Sequence, residues 1–240
     1  MTMTVLVLWD IDHTLIDTSG VGSEIYAAAF QQVTGQPLKK MASLSGRTEP
    51  VIFRETLRSH DIDDAPADLF SRFAEAQARG YVERAGELRE RGRVLPGVPE
   101  ALRALSEEGD AIQSVLTGNT RPSGEAKLRA FGLNGFFDLD SGAYGTDDDT
   151  RANLVGIAQQ RAASVHDATF DRASTVLIGD TPNDVIAARD GGALVIAVAT
   201  GKDSTHDLAA EGADTVFKDL ADTDALVRAI SRLTAHHDGT

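Results

Sequence analysis

Short runs dominated by apolar residues recur along the chain at Val5–Trp9, Ala111–Leu116, Ser174–Ile178, Ala193–Val198 and, more weakly, Asp214–Phe217. Runs this short, with little polar alternation, fit strands buried on both faces, as in a parallel sheet. Helical spacing of apolar residues separates most of them, over Val98–Glu108, Arg121–Phe131, Arg151–Ala163, Asn183–Arg189, Ser204–Ala210 and Asp219–Leu233. Such alternation predicts βαβ units and an α/β fold with a Rossmann-like parallel sheet. Gly132, Gly191-Gly192 and Gly212 stand just past helical stretches, where glycine commonly closes a helix. One more short strand is expected within Gly135–Tyr144, and the tail Ala235–Thr240 reads as frayed.

One region breaks the pattern. From Thr18 to Arg93 there is no strand-like run, only helical patterns at Glu24–Val33, Val51–His60 and Ala67–Leu88. That much helix directly after the first strand exceeds a simple crossover. The reading is a core built from residues 1–17 and 94–240, interrupted by a helical cap domain at residues 18–93. Arg93-Val-Leu-Pro-Gly-Val98 then forms the return linker.

Composition narrows the function. A net charge of −14 over 240 residues repels phosphate backbones and anionic membranes, which argues against nucleic-acid and membrane partners. The absence of cysteine excludes disulfides, thiolate metal sites and a cysteine nucleophile. Met1–Thr4 lead straight into the first strand and no apolar run approaches spanning length, so the expectation is a cytoplasmic protein. A monomer or weak homodimer is taken as the default.

The chemistry sits where strands stop. Asp10-Ile11-Asp12-His13-Thr14 ends the first strand, Thr117-Gly118-Asn119 the second, and Gly179-Asp180-Thr181-Pro182-Asn183-Asp184 a later one. Ligands of open α/β sheets bind beyond the carboxyl ends of strands. Each piece alone also reads as helix capping or turn chemistry. Together, on neighbouring strands, they would converge Asp10, Asp12, Asp180 and Asp184. Like charges about 4 Å apart repel by roughly 4 kcal/mol at an effective dielectric near 20. Such a cluster therefore calls for protons or a cation, and an oxygen-only set favours Mg²⁺.

In that order the motifs resemble the haloacid dehalogenase superfamily. The helical insert resembles its C1 cap, and the closest likeness is to phosphoglycolate-phosphatase-like hydrolases. The resemblance implies a Mg²⁺-dependent phosphatase of a small phosphorylated metabolite, working through an aspartyl-phosphate. Asp10 would be the nucleophile. Asp12 would protonate the leaving alcohol and activate water, with a carboxyl pKa raised by burial beside other acids. The metal would take the Asp10 carboxylate, the Asp12 main-chain carbonyl and Asp180, with Asp184 in support. Thr117, Gly118 and Asn119 would hold the phosphoryl oxygens. Arg151 occupies the position of the superfamily's charge-balancing cation, though without the usual Lys-Pro pattern. Lys127 is the runner-up for that role, but lying mid-helix it reads rather as a solvated face residue.

Other positions stay open. His13 stands where relatives commonly carry glycine, at a place that can demand unusual backbone angles. Arg47, within Ser45-Gly46-Arg47-Thr48, either pairs with a substrate carboxylate or second phosphate or is an exposed loop residue. Gly201-Lys202 reads as ordinary loop. Two alternatives accompany the phosphatase: a β-phosphoglucomutase-like phosphotransferase, and a non-catalytic phosphate-binding regulatory module on the same fold.

Overall fold

A computed structural model describes residues 4–43 and 45–235, so the three amino-terminal residues and the tail expected to fray, residues 236–240, lie outside the described residues. Strand β1 (Val5–Trp9) is followed by β2 (Ile16–Asp17) and four helices, α1 (Val21–Thr34), α2 (Glu49–Arg58), α3 (Leu69–Glu83) and α4 (Ala85–Arg91). The chain returns through β3 (Arg93–Val94) into α5 (Val98–Glu107), β4 (Ala111–Thr117), α6 (Arg121–Ala130), β5 (Ala143–Tyr144) and α7 (Arg151–His166). It ends with β6 (Thr175–Gly179), α8 (Pro182–Gly191), β7 (Leu194–Val198), α9 (Thr205–Ala210), β8 (Thr215–Phe217) and α10 (Thr223–Ala235).

Six strands form one parallel sheet in the order β5-β4-β1-β6-β7-β8. β1 is central because every side chain from Val5 to Trp9 is apolar and buried. Its odd-numbered residues pack with α5 and α10, its even-numbered ones with α7 and α8. This is a three-layer α/β core, as the alternation of elements predicts. The expected strand within Gly135–Tyr144 shrinks to Ala143–Tyr144, preceded by a 3₁₀ turn at Asn134–Phe136.

The insertion leaves and re-enters the core through β2 and β3, an antiparallel pair with Ile16 opposite Val94. Tyr26, Phe30, Phe53 and Phe73 form an aromatic cluster inside it, with Phe53 stacked on Phe73 at 4.4 Å between centroids. A second apolar seam joins it to the core, where Val21, Ile25, Tyr81 and Leu88 meet Ala126 and Ala130 of α6. The single helix expected over Ala67–Leu88 is two, because Arg84 leaves helical geometry at φ −98° and ψ 18° between α3 and α4. Among the described residues no helix is long and apolar enough to cross a membrane.

Candidate active site

Because β4, β1 and β6 are parallel neighbours, their carboxyl ends open on one place. Asp10 follows β1 directly, and its amide donates to the Ile178 carbonyl at 2.9 Å, which pins the end of β1 to β6. Asp180 follows β6, and Asp184 lies in the first turn of α8. One carboxylate oxygen from each of Asp10, Asp180 and Asp184 lies within 4.8 Å of the others, and all three residues are buried. The capping reading holds as well. Thr181 accepts from the Asp184 amide while Asp184 Oδ2 accepts from the Thr181 amide and hydroxyl. Asp184's other oxygen faces Arg151, 2.6 Å from its Nη2.

Arg151 stands at the first position of α7 and bridges the cluster, with the same Nη2 3.1 Å from Asp10 Oδ1. One guanidinium does not offset three buried acids. Burial, and then the neighbouring Asp184 and Asp12, push the Asp10 carboxyl up to about 6 against the pull of Arg151. Burial together with Asp184 and Asp10 pushes Asp180 up to about 9. Carboxylates held this far above their ordinary range are short of positive charge. A divalent cation suits that deficit and the all-oxygen donor set.

Asp12 corrects the expectations made for it, first because its carboxylate is not part of that cluster. Burial alone would raise its carboxyl, but Lys127 Nζ lies 2.9 and 2.6 Å from its two oxygens and outweighs burial, holding it below the usual range. Lys127 is the second correction. It is 4 % exposed rather than solvated, and it also donates to Asn119 Oδ1 at 2.7 Å and lies over the Tyr81 ring. Asn119 in turn donates to Asp12 Oδ2 at 2.9 Å and to Thr117 Oγ1 at 2.7 Å. The side chain of Asn119 thus orients Asp12, and Thr117, fully buried at the tip of β4, is tied to it. The structure brings both Arg151 and Lys127 to the site, each beside a different aspartate.

The insertion closes over these residues around a cavity of about 480 Å³. Its loop rests on the core through Asn183 Nδ2 donating to the Ser45 carbonyl at 2.8 Å and the Glu49 amide donating to the Gly118 carbonyl at 2.8 Å. The approach is backbone to backbone. A Cβ on Gly118 would stand 2.0 Å from the Arg47 carbonyl oxygen. Gly118→Ala is therefore expected to hold the insertion off the core. Displacement of catalytic geometry by ~1 Å can cost on the order of 10²-fold in rate. Steady-state kinetics should show a loss of that size, and limited proteolysis should cleave the 36–48 loop faster; unchanged values for both would contradict the docking.

Arg47 lines the cavity, yet its guanidinium is spent on Glu55, which accepts from both terminal nitrogens. His13 adopts φ +61°, the left-handed backbone expected to be demanded at its position. It is exposed at the cavity rim, its amide bonded to the Ile16 carbonyl. Gly201-Lys202 is more than loop. A Cβ on Gly201 would fall 2.0 Å from Asp180 Oδ2, and Lys202 lines the cavity. Sequence reasoning also missed Glu49 and Gln77, both buried and both in the cavity wall.

Similarity to known proteins extends over most of the chain. Residues 7–189 match the family model described as haloacid dehalogenase-like hydrolase. A "Probable phosphatase IndB" of Dickeya dadantii is 27% identical, the match covering 97% of each chain. A phosphoglycolate phosphatase of Agrobacterium fabrum is 30% identical over 82% of this chain and 81% of its own. Among solved structures, a predicted phosphoglycolate phosphatase from Haemophilus somnus superposes with a TM-score of 0.69 at 22% identity. That match covers 95% of this chain and 99% of the other.

Proposed function

Because the chain belongs to the haloacid dehalogenase-like hydrolase family and is a phosphatase, we propose that it hydrolyses a small phosphomonoester through an aspartyl-phosphate on Asp10. The observation that carries this reading is Asp10 itself, at the tip of the central strand, buried beside Asp180, Asp184 and Arg151. Mg²⁺ would be held by Asp10, Asp180 and Asp184 with the Asp12 main-chain carbonyl, and when bound it would offset charge on the carboxylates and the phosphoryl group.

The chain's own residues divide the rest of the work. An Asp10 oxygen attacks phosphorus, the P–O bond to the alcohol breaks, and the leaving oxygen gains a proton. Water then attacks the aspartyl-phosphate, loses a proton, and releases inorganic phosphate with the Asp10 carboxylate restored. Arg151 offsets charge between nucleophile and phosphoryl oxygens. Thr117, Gly118 and the backbone near Asn119 line the phosphoryl side of the cavity. Asp12 moves the proton in both halves. With Lys127 at 2.6 Å it rests as the anion, the form that accepts a proton from water. In the first half the Asp12–Lys127 pair supplies the proton as a unit. The insertion acts as a cap, excluding bulk water from the intermediate.

The test is phosphate release from p-nitrophenyl phosphate and a panel of phosphometabolites that includes 2-phosphoglycolate. Release is expected with Mg²⁺ and is expected to stop on chelation. β-Glucose 1-phosphate offered with its bisphosphate should yield free phosphate; an isomerised sugar phosphate instead would make the chain a phosphotransferase.

A further inference from the structure

The insertion's side of the cavity holds a buried acid that the chemistry above does not use. Glu49 is the first residue of α2 and is 7 % exposed. Its Oε1 accepts from Gln77 Nε2 at 3.2 Å, and Gln77 Oε1 accepts from Ser123 Oγ at 3.2 Å. That chain of bonds fixes which way the amide points and holds the carboxylate in place. Among the described residues the second Glu49 oxygen has no hydrogen-bond partner, and Glu49 lines the cavity. A buried acceptor left open toward a cavity is satisfied by a donor that enters it.

The cations nearby are committed. Arg47 is paired with Glu55, Lys127 with Asp12 and Asn119, and Arg151 with Asp10 and Asp184. Lys202 is exposed, at the rim. The remaining polar groups on the insertion side include the hydroxyls of Thr18, Ser23 and Ser43. A carboxylate leaving group would meet Glu49 with no uncommitted buried cation to receive it. Hydroxyl groups would meet acceptors and donors they can satisfy. A cavity of about 480 Å³ is in the range of pockets for drug-sized ligands, more than a two-carbon glycolate fills.

Resting on the phosphatase reading above, we propose that Glu49, held by Gln77, selects phosphomonoesters whose leaving group carries several hydroxyls, polyol or sugar phosphates, over esters of a carboxylate-bearing alcohol. Glu49 acts here as a specificity residue that accepts from a substrate hydroxyl. It takes no part in breaking the P–O bond.

The experiment compares kcat/KM for a hexose 6-phosphate, glycerol 3-phosphate and 2-phosphoglycolate, with p-nitrophenyl phosphate as a reference that has neither a hydroxyl nor a carboxylate. The native enzyme is expected to favour the hydroxyl-bearing esters over 2-phosphoglycolate by at least about tenfold, the scale on which one satisfied or missing polar contact discriminates. At pH 8, above the value of about 7 to which burial pushes the Glu49 carboxyl against the pull of Lys127, Glu49→Gln keeps the shape and removes the charge, so it should narrow that ratio by at least about tenfold. Glu49→Leu should raise KM for the polyol esters more than it lowers kcat. A native preference for 2-phosphoglycolate, or a ratio that Glu49→Gln leaves unchanged, overturns the assignment while leaving the phosphatase intact. Absence of phosphate release from every ester, p-nitrophenyl phosphate included, would instead sink the phosphatase reading itself. Far-ultraviolet circular dichroism of each variant separates loss of selectivity from loss of fold.

Discussion

Replacing Asp10 by Asn is expected to cut phosphate release by on the order of 10³-fold or more and, in the presence of a chelator, to raise the thermal midpoint. The first effect follows from removing the attacking oxygen. The second follows from electrostatics, because Asp10 is buried among acids and its carboxyl is pushed up to about 6 from 3.8, by burial first and then by Asp184 and Asp12. A carboxyl raised on folding keeps a proton that the unfolded chain has released. Its stabilising contribution is complete below about pH 4 and is lost as pH rises through about 6. Asp180, raised to about 9, extends the same loss further. Elsewhere the sign is opposite: Asp138 and Asp147, lowered by hydrogen-bonded partners despite partial burial, favour folding as pH rises. The diagnostic quantity is therefore the difference between Asp10→Asn and the native protein, not either curve alone. That difference should widen between pH 4 and pH 7 in chelator and shrink when Mg²⁺ is added. A variant less stable than the native chain at pH 8 in chelator would mean that the cluster carries no charge deficit.

What could be read from the sequence was what depends on neighbours along the chain. β1, β4 and β6 are legible because their apolar runs are local, and the acids that follow them inherit their places from strand order. That is why three of the four acids expected to converge, Asp10, Asp180 and Asp184, come within 4.8 Å, while the Asp12 carboxylate is held by Lys127 instead. The errors fall where burial is imposed by distant segments. Lys127 lies on a face of α6 covered by two segments distant in sequence, the insertion through Tyr81 of α3 and the end of β1 through Asp12. The small residues Ser123, Gly124, Ala126 and Ala130 on the same helix were a usable sign that something packs closely there. Glu49, in Thr48-Glu49-Pro50, is indistinguishable in sequence from an ordinary acid in a first helical turn. The break at Arg84 had no stronger signal than the nearby Gly86. Asp12 was misjudged for the same reason as Lys127, since a carboxyl's pKa follows its nearest cation and that cation was thought to face solvent.

Lys127→Met tests the pairing that sequence reasoning missed, and its effects should be large in both stability and rate. Lys127 is the ammonium that makes three hydrogen bonds to Asp12 and Asn119. Removing it leaves a carboxylate in the cavity wall with only Asn119 to hold it and with Glu49 nearby. Breaking a fully buried ion pair by deleting one partner typically costs about 3–5 kcal/mol; the Asp12 side chain is 35 % exposed, so solvent screening brings the cost here to about 1–3 kcal/mol. At about 2–4 °C per kcal/mol for a chain of this size, the midpoint should fall by roughly 2–12 °C. The double variant Asp12→Asn with Lys127→Met should recover much of that loss, because the orphaned charge is gone. Activity should behave differently. If Lys127 works only through Asp12, each single variant should lose most of the rate and the double variant little more, a non-additive cycle. Additive losses in rate, or a double variant no more stable than Lys127→Met, would show that Lys127 serves the packing of α6 against the insertion and leaves Asp12 alone. The pH dependence distinguishes these further. Loss of the ammonium lets burial raise the Asp12 carboxyl, so the acidic limb of the native rate profile should move to higher pH in Lys127→Met, whereas a purely structural role would lower the profile without moving it.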